Sequence, residues 1–249
     1  ILPDQVYARS FDHLDSPLAL ECMDHQHCIL KQPGQPGLKV TLRQHHDFLA
    51  QQTSGGMPFR KIARICGSYL YLNPFGVANI YWSPANLPGP APTESLLEIV
   101  HFALDRNLAS SIYLYAPDGD DDSGGINATV PYVRAIKSQF NTLMTVKIFP
   151  PRQASKLSEL YAAGADTVKI DIPMVEGQPG DLAALEASLR SATRIWPAGA
   201  VFTNLYPGVM DAMTLLARLQ ERIDAGVIPI FPIFHLARRQ IDITEEQVS

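Results

Sequence analysis

The sequence is poor in cysteine, in long apolar runs and in clustered charge of one sign. Three cysteines among 249 residues are too few for a disulfide scaffold, so we expect a reducing, cytoplasmic setting. No apolar run reaches the roughly 18 residues that a membrane-spanning helix requires. No dense lysine and arginine run occurs and the formal net charge is −5, which argues against nucleic acid. We therefore expect a small-molecule ligand, with a protein partner or a homo-oligomer also compatible.

A repeated tetrapeptide is the most informative pattern. Thr-Val-Lys-Ile occurs twice, starting at residues 145 and 167, and the apolar-periodic segment 154–163 lies between the copies. Strand, helix and strand form a β-α-β unit, from which parallel sheets are built. Because strand residues alternate between faces, Lys147, Lys169 and Asp171 share the face opposite the valines and isoleucines. A sheet covered by helices on both faces would be apolar on both, so we expect this polar face to line a cavity.

The same alternation of strands and helices predicts the fold. We expect six strands and five helices between residues 79 and 234, the first strand being 79–83. A complete eight-unit barrel needs about 250 residues, so residues 76–249 predict an α/β fold of the partial (β/α)6 barrel type. An open doubly wound sheet is the alternative, and the polar face favours the barrel. Residues 1–75 lack this rhythm and predict an N-terminal extension with a small antiparallel β meander, with strands at 18–22, 28–31 and 38–42.

Side chains at the carboxyl ends of the predicted strands are the candidate site, because parallel α/β proteins bind ligands there. The lysines would hold an anionic group, and Asp171 would orient Lys169 or accept a proton. The tyrosines would stack on the ligand or form hydrogen bonds with it. Alternatively, Lys169 and Asp171 neutralise each other in an ordinary interior. The predicted lining is Asn79, Tyr81, Tyr113, Tyr115, Lys147, Lys169, Asp171, Asn204 and Tyr206.

Two other groups have residue types that bind metals. Residues 118–122 carry four carboxylates, which suit magnesium or calcium, although the spacing differs from the calcium-loop pattern and also fits a solvated acidic loop. Cys22 and Cys28 would oppose each other at the neck of the predicted hairpin. There they would bind zinc with the loop histidines, form a disulfide, or remain two half-buried thiols. Three further histidines have no partner visible in the sequence: His45, His46 and His235. His235 is a weak catalytic candidate.

The order of elements from 79 to 234 resembles the core of the radical S-adenosylmethionine (SAM) family. The segment 159–171, Glu-Leu-Tyr-Ala-Ala-Gly-Ala-Asp-Thr-Val-Lys-Ile-Asp, is similar to text in that family, and 203–208 and 228–233 resemble its fifth and sixth strands. The resemblance implies a partial TIM barrel and SAM as a candidate cofactor. The Cys-x3-Cys-x2-Cys motif that holds the family's iron–sulfur cluster is absent, because residues 83–89 contain no cysteine. The Gly-Gly-Glu loop is also broken, and these departures argue against a cluster.

Four functions remain open, and the chain is not assigned as an enzyme. The first is a radical SAM-like barrel without the cluster cysteines that binds a small anionic metabolite or acts as the partner subunit of a biosynthetic enzyme. The second is a Schiff-base lyase of the class I aldolase type with Lys169 or Lys147 as nucleophile. The third is a radical SAM enzyme with an unconventional cluster on Cys22, Cys28 and Cys66. The fourth is a metal-assisted enzyme using residues 118–122.

Overall fold

The computed structural model describes most of the chain between residues 19 and 231. The described ranges are 19–23, 27–41, 46–77, 87–117, 122–172, 174–175, 178–179, 181–205 and 211–231. The chain divides into two compact units, residues 1–51 and residues 52–249.

The first unit contains the meander expected from the sequence. Strands β1 (Ala19–Cys22), β2 (His27–Lys31) and β3 (Leu38–Thr41) pair antiparallel in the order β1-β2-β3. A five-residue helix, α1 (His46–Ala50), follows them. The predicted antiparallel meander is therefore confirmed, and Cys22 and Cys28 are Cα partners at the hairpin neck as predicted.

The second unit is organised around a seven-stranded sheet with the order β12-β11-β8-β7-β6-β5-β4. Strands β9 and β10 form a separate antiparallel ribbon. In chain order the elements are α2 (Phe59–Ile62), β4 (Ala63–Cys66), β5 (Tyr69–Leu72), α3 (Thr93–Asp105), β6 (Ser111–Tyr115), α4 (Ile126–Gln139), β7 (Leu143–Ile148), α5 (Ser155–Ala162), β8 (Thr167–Ile170), β9 (Met174–Val175), β10 (Gln178–Pro179), α6 (Leu182–Ala192), β11 (Val201–Asn204), α7 (Ala212–Asp224) and β12 (Val227–Ile230).

Strand order in this sheet follows chain order. β4 and β5 pair antiparallel, whereas every other neighbouring pair from β5 to β12 is parallel. Right-handed crossovers that always advance in one direction place the connecting helices on one face of the sheet. The fold is thus mixed α/β, with a mixed sheet and a small antiparallel sheet. The described strands leave β4 and β12 as edges, so the predicted barrel is not confirmed.

The strand that pairs with β6 on the N-terminal side is not the one expected from the sequence. β5 occupies that position, although we assigned its residues to the N-terminal extension. The apolar residues of 62–72 predict one strand, but Gly67, with φ +59°, turns the chain between β4 and β5 and makes a tight hairpin. The predicted first strand at 79–83 lies outside the described residues.

The two faces of the sheet differ in the way that the alternation predicted. Along one face the side chains are fully buried, and along the other Lys147, Lys169 and their neighbours are only half-buried. Apolar residues fill the first face because it packs against the helices, which present their own buried leucines and isoleucines. The buried face consists of Leu70, Leu72, Ile112, Leu114, Met144, Val146, Ile148, Val168, Ile170 and Val201.

Helix ends were predicted with mixed success. The sequence predicts Asp181 as a helix N-cap and Gly164 as a helix C-cap. Asp181 caps α6, since its carboxylate accepts the Ala184 N–H at 2.9 Å, and Gly164 follows α5 with a positive φ of +107°. The spacing of Ser95 and Glu98 predicts a capping box at the start of the following helix, and this prediction is wrong. The helix α3 begins at Thr93, and Glu98 instead accepts the backbone N–H of Ser54 at 2.7 Å.

The sequence predicts a helix over 129–139 with Pro131 in its first turn. Helix α4 begins earlier, at Ile126, so Pro131 lies inside the helix. None of the helices in the described parts of the chain combines the length and the apolar character needed to cross a bilayer.

Candidate functional site

The candidate site lies on the polar face, at the carboxyl ends of β6, β7, β8 and β11. Tyr115, Lys147, Lys169 and Phe202 are successive Cα partners across these strands. Neighbouring strands are about 4.8 Å apart, so the two lysines stand side by side on one face. The predicted pairing of Lys147 with Lys169 on adjacent strands is therefore present.

Asp171 is the most buried charged group at this end of the sheet among the described residues, with 6% of its surface exposed. Its Oδ1 accepts the backbone N–H of Asn204 at 2.8 Å, and its Oδ2 accepts the Asn204 side-chain amide at 2.9 Å. The ammonium of Lys169 lies 3.2 Å from the same Oδ2. Because three donors converge on one carboxylate, Asp171 joins β8 to β11 and fixes the position of the Lys169 ammonium.

Lys147 has a different environment from Lys169. Its Nζ lies 3.3 Å from the centroid of the Phe149 ring, two residues further along the chain. A cation over an aromatic face is stabilised by the ring quadrupole. Phe149 therefore holds the Lys147 ammonium beside the carboxyl end of β7, next to the pair of Lys169 and Asp171.

Phe149 is in turn held by the loop that follows β6. The Phe149 N–H donates to the carbonyl of Gly124 at 3.1 Å, and the Arg152 N–H donates to the carbonyl of Asp122 at 2.9 Å. Gly124 has φ +63°, and a Cβ there would lie 2.1 Å from the Phe149 carbonyl oxygen. Only glycine permits this close approach of two backbones, so the loops after β6 and β7 form one support beneath Lys147.

Three tyrosines cluster beside the lysines. Ring centroids are 5.0 Å apart for Tyr71 and Tyr113 and 5.1 Å apart for Tyr113 and Tyr115. Tyr71 and Tyr113 are Cα partners on β5 and β6. The alternation in the sequence predicted Tyr113 and Tyr115 but not Tyr71, because we expected the strand beside β6 at 79–83. The signal that would have found Tyr71 is the alternation in Tyr-Leu-Tyr-Leu, residues 69–72.

Several of the predicted site residues lie in parts of the chain that the structure does not describe. Asn79, Tyr81, Tyr206, His25, His45 and His235 lie outside the described residues, as do Asp118 and its neighbours to residue 121. Asp122 is described and forms an exposed ion pair with Arg152 at 3.0 Å. Within the described ranges, no three histidine, cysteine or carboxylate side chains are grouped in a way that would hold a metal ion.

The cysteines correct one prediction. Cys28 is buried and disulfide-bonded, whereas Cys66 is a free and exposed thiol. Cluster ligands are thiolates, and a sulfur in a disulfide cannot serve as one. The hypothesis of an unconventional iron–sulfur cluster on Cys22, Cys28 and Cys66 is therefore wrong. Of the outcomes considered for the hairpin neck, the structure has the disulfide at Cys28, a bond typical of oxidising compartments.

Comparison with known proteins identifies no family. No protein-family model matches the chain, and no curated protein matches it. Among solved structures it is similar to Yersinia pestis DHPS with a pterine-sulfa conjugate, with 19% identity, a TM-score of 0.41, and coverage of 59% of this chain and 58% of that one. It is also similar to the Amycolatopsis orientalis BexX/CysO complex, with 18% identity, a TM-score of 0.38, and coverage of 59% and 55%. The matched part thus spans little more than half of either structure.

These findings correct the expectation of a radical SAM-like barrel that was drawn from the resemblance. No family model supports it, and neither solved structure is described as a radical SAM protein. The large sheet also differs from the expected arrangement, since it begins with the antiparallel pair β4 and β5. The expectation that SAM is a cofactor stays a prediction.

Proposed function

We propose that this chain binds a small anionic metabolite on the polar face of the large sheet, through Lys147 and Lys169. The observation that carries the proposal is the side-by-side placement of the two lysines at the carboxyl ends of β7 and β8. Ligands of parallel α/β sheets bind at that end of the strands.

Charge at the site supports an anion rather than a cation. The Lys169 ammonium is held by Asp171, whose Oδ2 lies 3.2 Å from its Nζ, and the Lys147 ammonium is held over the Phe149 ring. Two ammonium groups fixed on neighbouring strands can both donate to one carboxylate or phosphate placed between them. Asp171 acts as the positioning residue, since it orients Lys169 through the network with Asn204.

The shape proposed for the sheet is a partial (β/α)6 barrel with the polar face inside. Strand order that follows chain order supports this shape, because a doubly wound sheet reverses its order at a switch point. A fully buried apolar face opposite a half-buried polar face also supports it. The concave side of such a sheet would shield the lysines from bulk water and strengthen their attraction for an anion.

Replacing Lys147 with methionine should weaken anion binding about tenfold or more. A hydrogen bond to a charged group contributes about 1.5–3 kcal/mol, and methionine keeps the length and apolar stem of lysine while removing the charge. Binding of inorganic phosphate would be measured by isothermal titration calorimetry for the wild type, Lys147→Met and Lys169→Met.

The matched control is Lys156→Met, which removes a lysine from α5 that pairs with Glu159 at 2.8 Å. This substitution should leave the phosphate affinity within about twofold of wild type, because surface ion pairs contribute little. Equal losses for Lys147→Met and Lys156→Met would indicate a nonspecific charge effect and overturn the proposal, as would wild-type affinity in both site variants.

A second function, Schiff-base catalysis by Lys147, is favoured by the same register. A lysine next to another cationic group is a recognised nucleophile for carbonyl compounds, and Lys147 is the Cα partner of Lys169. The amine would add to the carbonyl carbon and the resulting carbinolamine would lose water to give an imine. Lys169 is held in an ion pair with Asp171 and would supply the neighbouring charge.

Borohydride trapping tests this second function directly. Incubation with pyruvate and sodium borohydride should produce a stable mass adduct, which peptide mapping would locate on Lys147. The Lys147→Met variant should lose the adduct while Lys156→Met keeps it. An adduct distributed over surface lysines, or none at all, would remove the lyase from consideration and leave the binding function untouched.

A further inference from the structure

The tyrosine cluster beside the lysines indicates which kind of anion the site would take. Tyr71, Tyr113 and Tyr115 lie on β5 and β6, one to two strands from Lys147 on β7. The planes of Tyr71 and Tyr113 are tilted by only 33°, as are those of Tyr71 and Tyr115. The planes of Tyr113 and Tyr115 are tilted by 52°, so Tyr71 and Tyr113 are the flatter part of the aromatic surface that the three rings form on the polar face, next to the cationic row.

The rings are also accessible to a ligand to different degrees. Tyr71 and Tyr113 are half-buried, whereas Tyr115 is 7% exposed. Large aromatic side chains that remain part exposed on an otherwise polar face offer an apolar surface on which a planar ring can stack. The Tyr115 ring centroid is 5.1 Å from that of Tyr113 and 6.4 Å from that of Tyr71. Tyr115 is also the Cα partner of Lys147, so the aromatic surface continues directly into the charged row.

We propose that the ligand is a planar aromatic anion, with its ring stacked on Tyr71 and Tyr113 and its carboxylate or phosphate on Lys147 and Lys169. This inference rests on the proposed anion-binding function and adds the ring to it. The distance between the tyrosines and the lysines suits a ligand whose anionic group is attached directly to a single ring. Lys147 is on the strand adjacent to that of Tyr113 and Tyr115, and neighbouring strands are about 4.8 Å apart.

The row below the lysines supports this orientation of the ligand. Thr145 and Thr167 are Cα partners on β7 and β8, and their hydroxyl groups hydrogen-bond to each other at 2.7 Å. Tyr71, Tyr113, Thr145 and Thr167 are successive Cα partners across β5, β6, β7 and β8. This row therefore changes from bulky rings on β5 and β6 to small hydroxyl side chains on β7 and β8. A ring lying against the tyrosines therefore meets small neighbours towards β8.

Three phosphate probes separate the ring from the anion: phenyl phosphate, cyclohexyl phosphate and inorganic phosphate. We expect the wild type to bind phenyl phosphate about threefold to tenfold tighter than cyclohexyl phosphate, since a stacked ring pair adds that much beyond the burial of surface. Tyr71→Leu should reduce the ratio of the two affinities to about one, and Tyr71→Phe should keep it, because phenylalanine retains the ring.

The control is Tyr161→Leu, which removes an exposed tyrosine from α5 whose ring packs edge-on against Trp196, with the ring centroids 5.3 Å apart. Its ratio should equal that of the wild type. Melting temperatures of all variants would identify any that fail to fold.

The outcomes separate the two proposals. If phenyl and cyclohexyl phosphate bind equally well and both lose affinity in Lys147→Met, the aromatic inference is wrong and the anion site stands. If neither phosphate ester nor inorganic phosphate binds, both proposals fail. A preference for phenyl phosphate that survives in Tyr71→Leu would place the ring elsewhere and overturn the inference.

Discussion

Replacing Glu186 with glutamine should cost about 3–5 kcal/mol of stability, which is the usual penalty for removing one partner of a buried ion pair. Both terminal guanidinium nitrogens of Arg222 on α7 donate to the carboxylate of Glu186 on α6, Nη1 to Oε2 at 2.6 Å and Nη2 to Oε1. Arg222 is only 4% exposed. The variant leaves the arginine charge buried without compensation, and arginine does not deprotonate in proteins. Chemical denaturation at neutral pH would measure the loss.

Arg218 on α7 pairs with two carboxylates, those of Glu186 and Glu221. The matched control is Glu221→Gln, which removes the carboxylate that lies 3.2 Å from Arg218 in an exposed i,i+3 pair. Its loss should stay within about 1 kcal/mol, because exposed pairs contribute little. Losses of the same size in both variants would show that Arg222 finds another anion. The ion pair of Glu186 with Arg222 would then not be the contact that fixes α7 to α6.

The pH dependence of the Glu186→Gln effect provides a second check. The hydrogen bond from the Arg222 guanidinium, reinforced by the charges of Arg222, Arg218 and Arg190 against the opposing effect of burial, holds the pKa of Glu186 below its usual range. A depressed folded-state pKa gives stability that is complete above the unfolded value, about 4.3, and is lost as the pH falls through the folded value. The difference between wild type and variant should therefore shrink below about pH 4.

The centre of the large sheet was predicted well from the sequence because that region has the strongest alternation. The alternation in residues 111–115 predicts a strand with the bounds that β6 has in the structure, and the two Thr-Val-Lys-Ile copies form the central strands β7 and β8. Each of these strands places apolar side chains against helices and polar ones on the other face. Where burial differs so strongly between faces, the register is fixed by the pattern itself.

The edges of the sheet could not be predicted in the same way. Ile62–Leu72 is rich in apolar residues, and the positive φ of Gly67 makes it a hairpin rather than one strand. Long-range contacts were equally invisible: Glu98 fits a capping box with Ser95 by spacing, but Ser54, far away in sequence, provides both hydrogen bonds to its carboxylate. Local propensity carries no information about such a partner.

The text that resembled the radical SAM family has a structural explanation. In Ala-Gly-Ala-Asp, residues 163–166, Gly164 takes φ +107° to end α5, and Asp166 accepts the Met144 N–H at 2.7 Å and the Lys137 ammonium at 2.9 Å. These contacts join the start of β8 to the start of β7. Glycine takes a positive φ without strain, and backbone N–H groups away from water need an acceptor, so the local structure of this junction accounts for these residues without a shared chemistry.

Replacing Gly124 with alanine should be among the most damaging small changes in the chain and should also affect the site. The new methyl group would lie 2.1 Å from the Phe149 carbonyl oxygen and 3.1 Å from the Pro151 nitrogen, both backbone atoms that cannot rotate away. The positive φ of +63° costs about 1–2 kcal/mol for alanine, and forced overpacking adds about 1–3 kcal/mol. We expect a total loss of about 2–5 kcal/mol in chemical denaturation.

Gly56→Ala isolates the backbone-strain part of this effect, because Gly56 has a similar φ of +78° but no atom within 4 Å of the position that a Cβ would take. It should lose only about 1–2 kcal/mol and keep wild-type phosphate affinity. Gly124→Ala should in addition weaken phosphate binding, since the carbonyl of Gly124 accepts the N–H of Phe149, whose ring lies beneath the Lys147 ammonium. Equal destabilisation by the two alanines would mean that the loops after β6 and β7 separate at little cost. In that case Phe149 would not be held firmly enough to position Lys147.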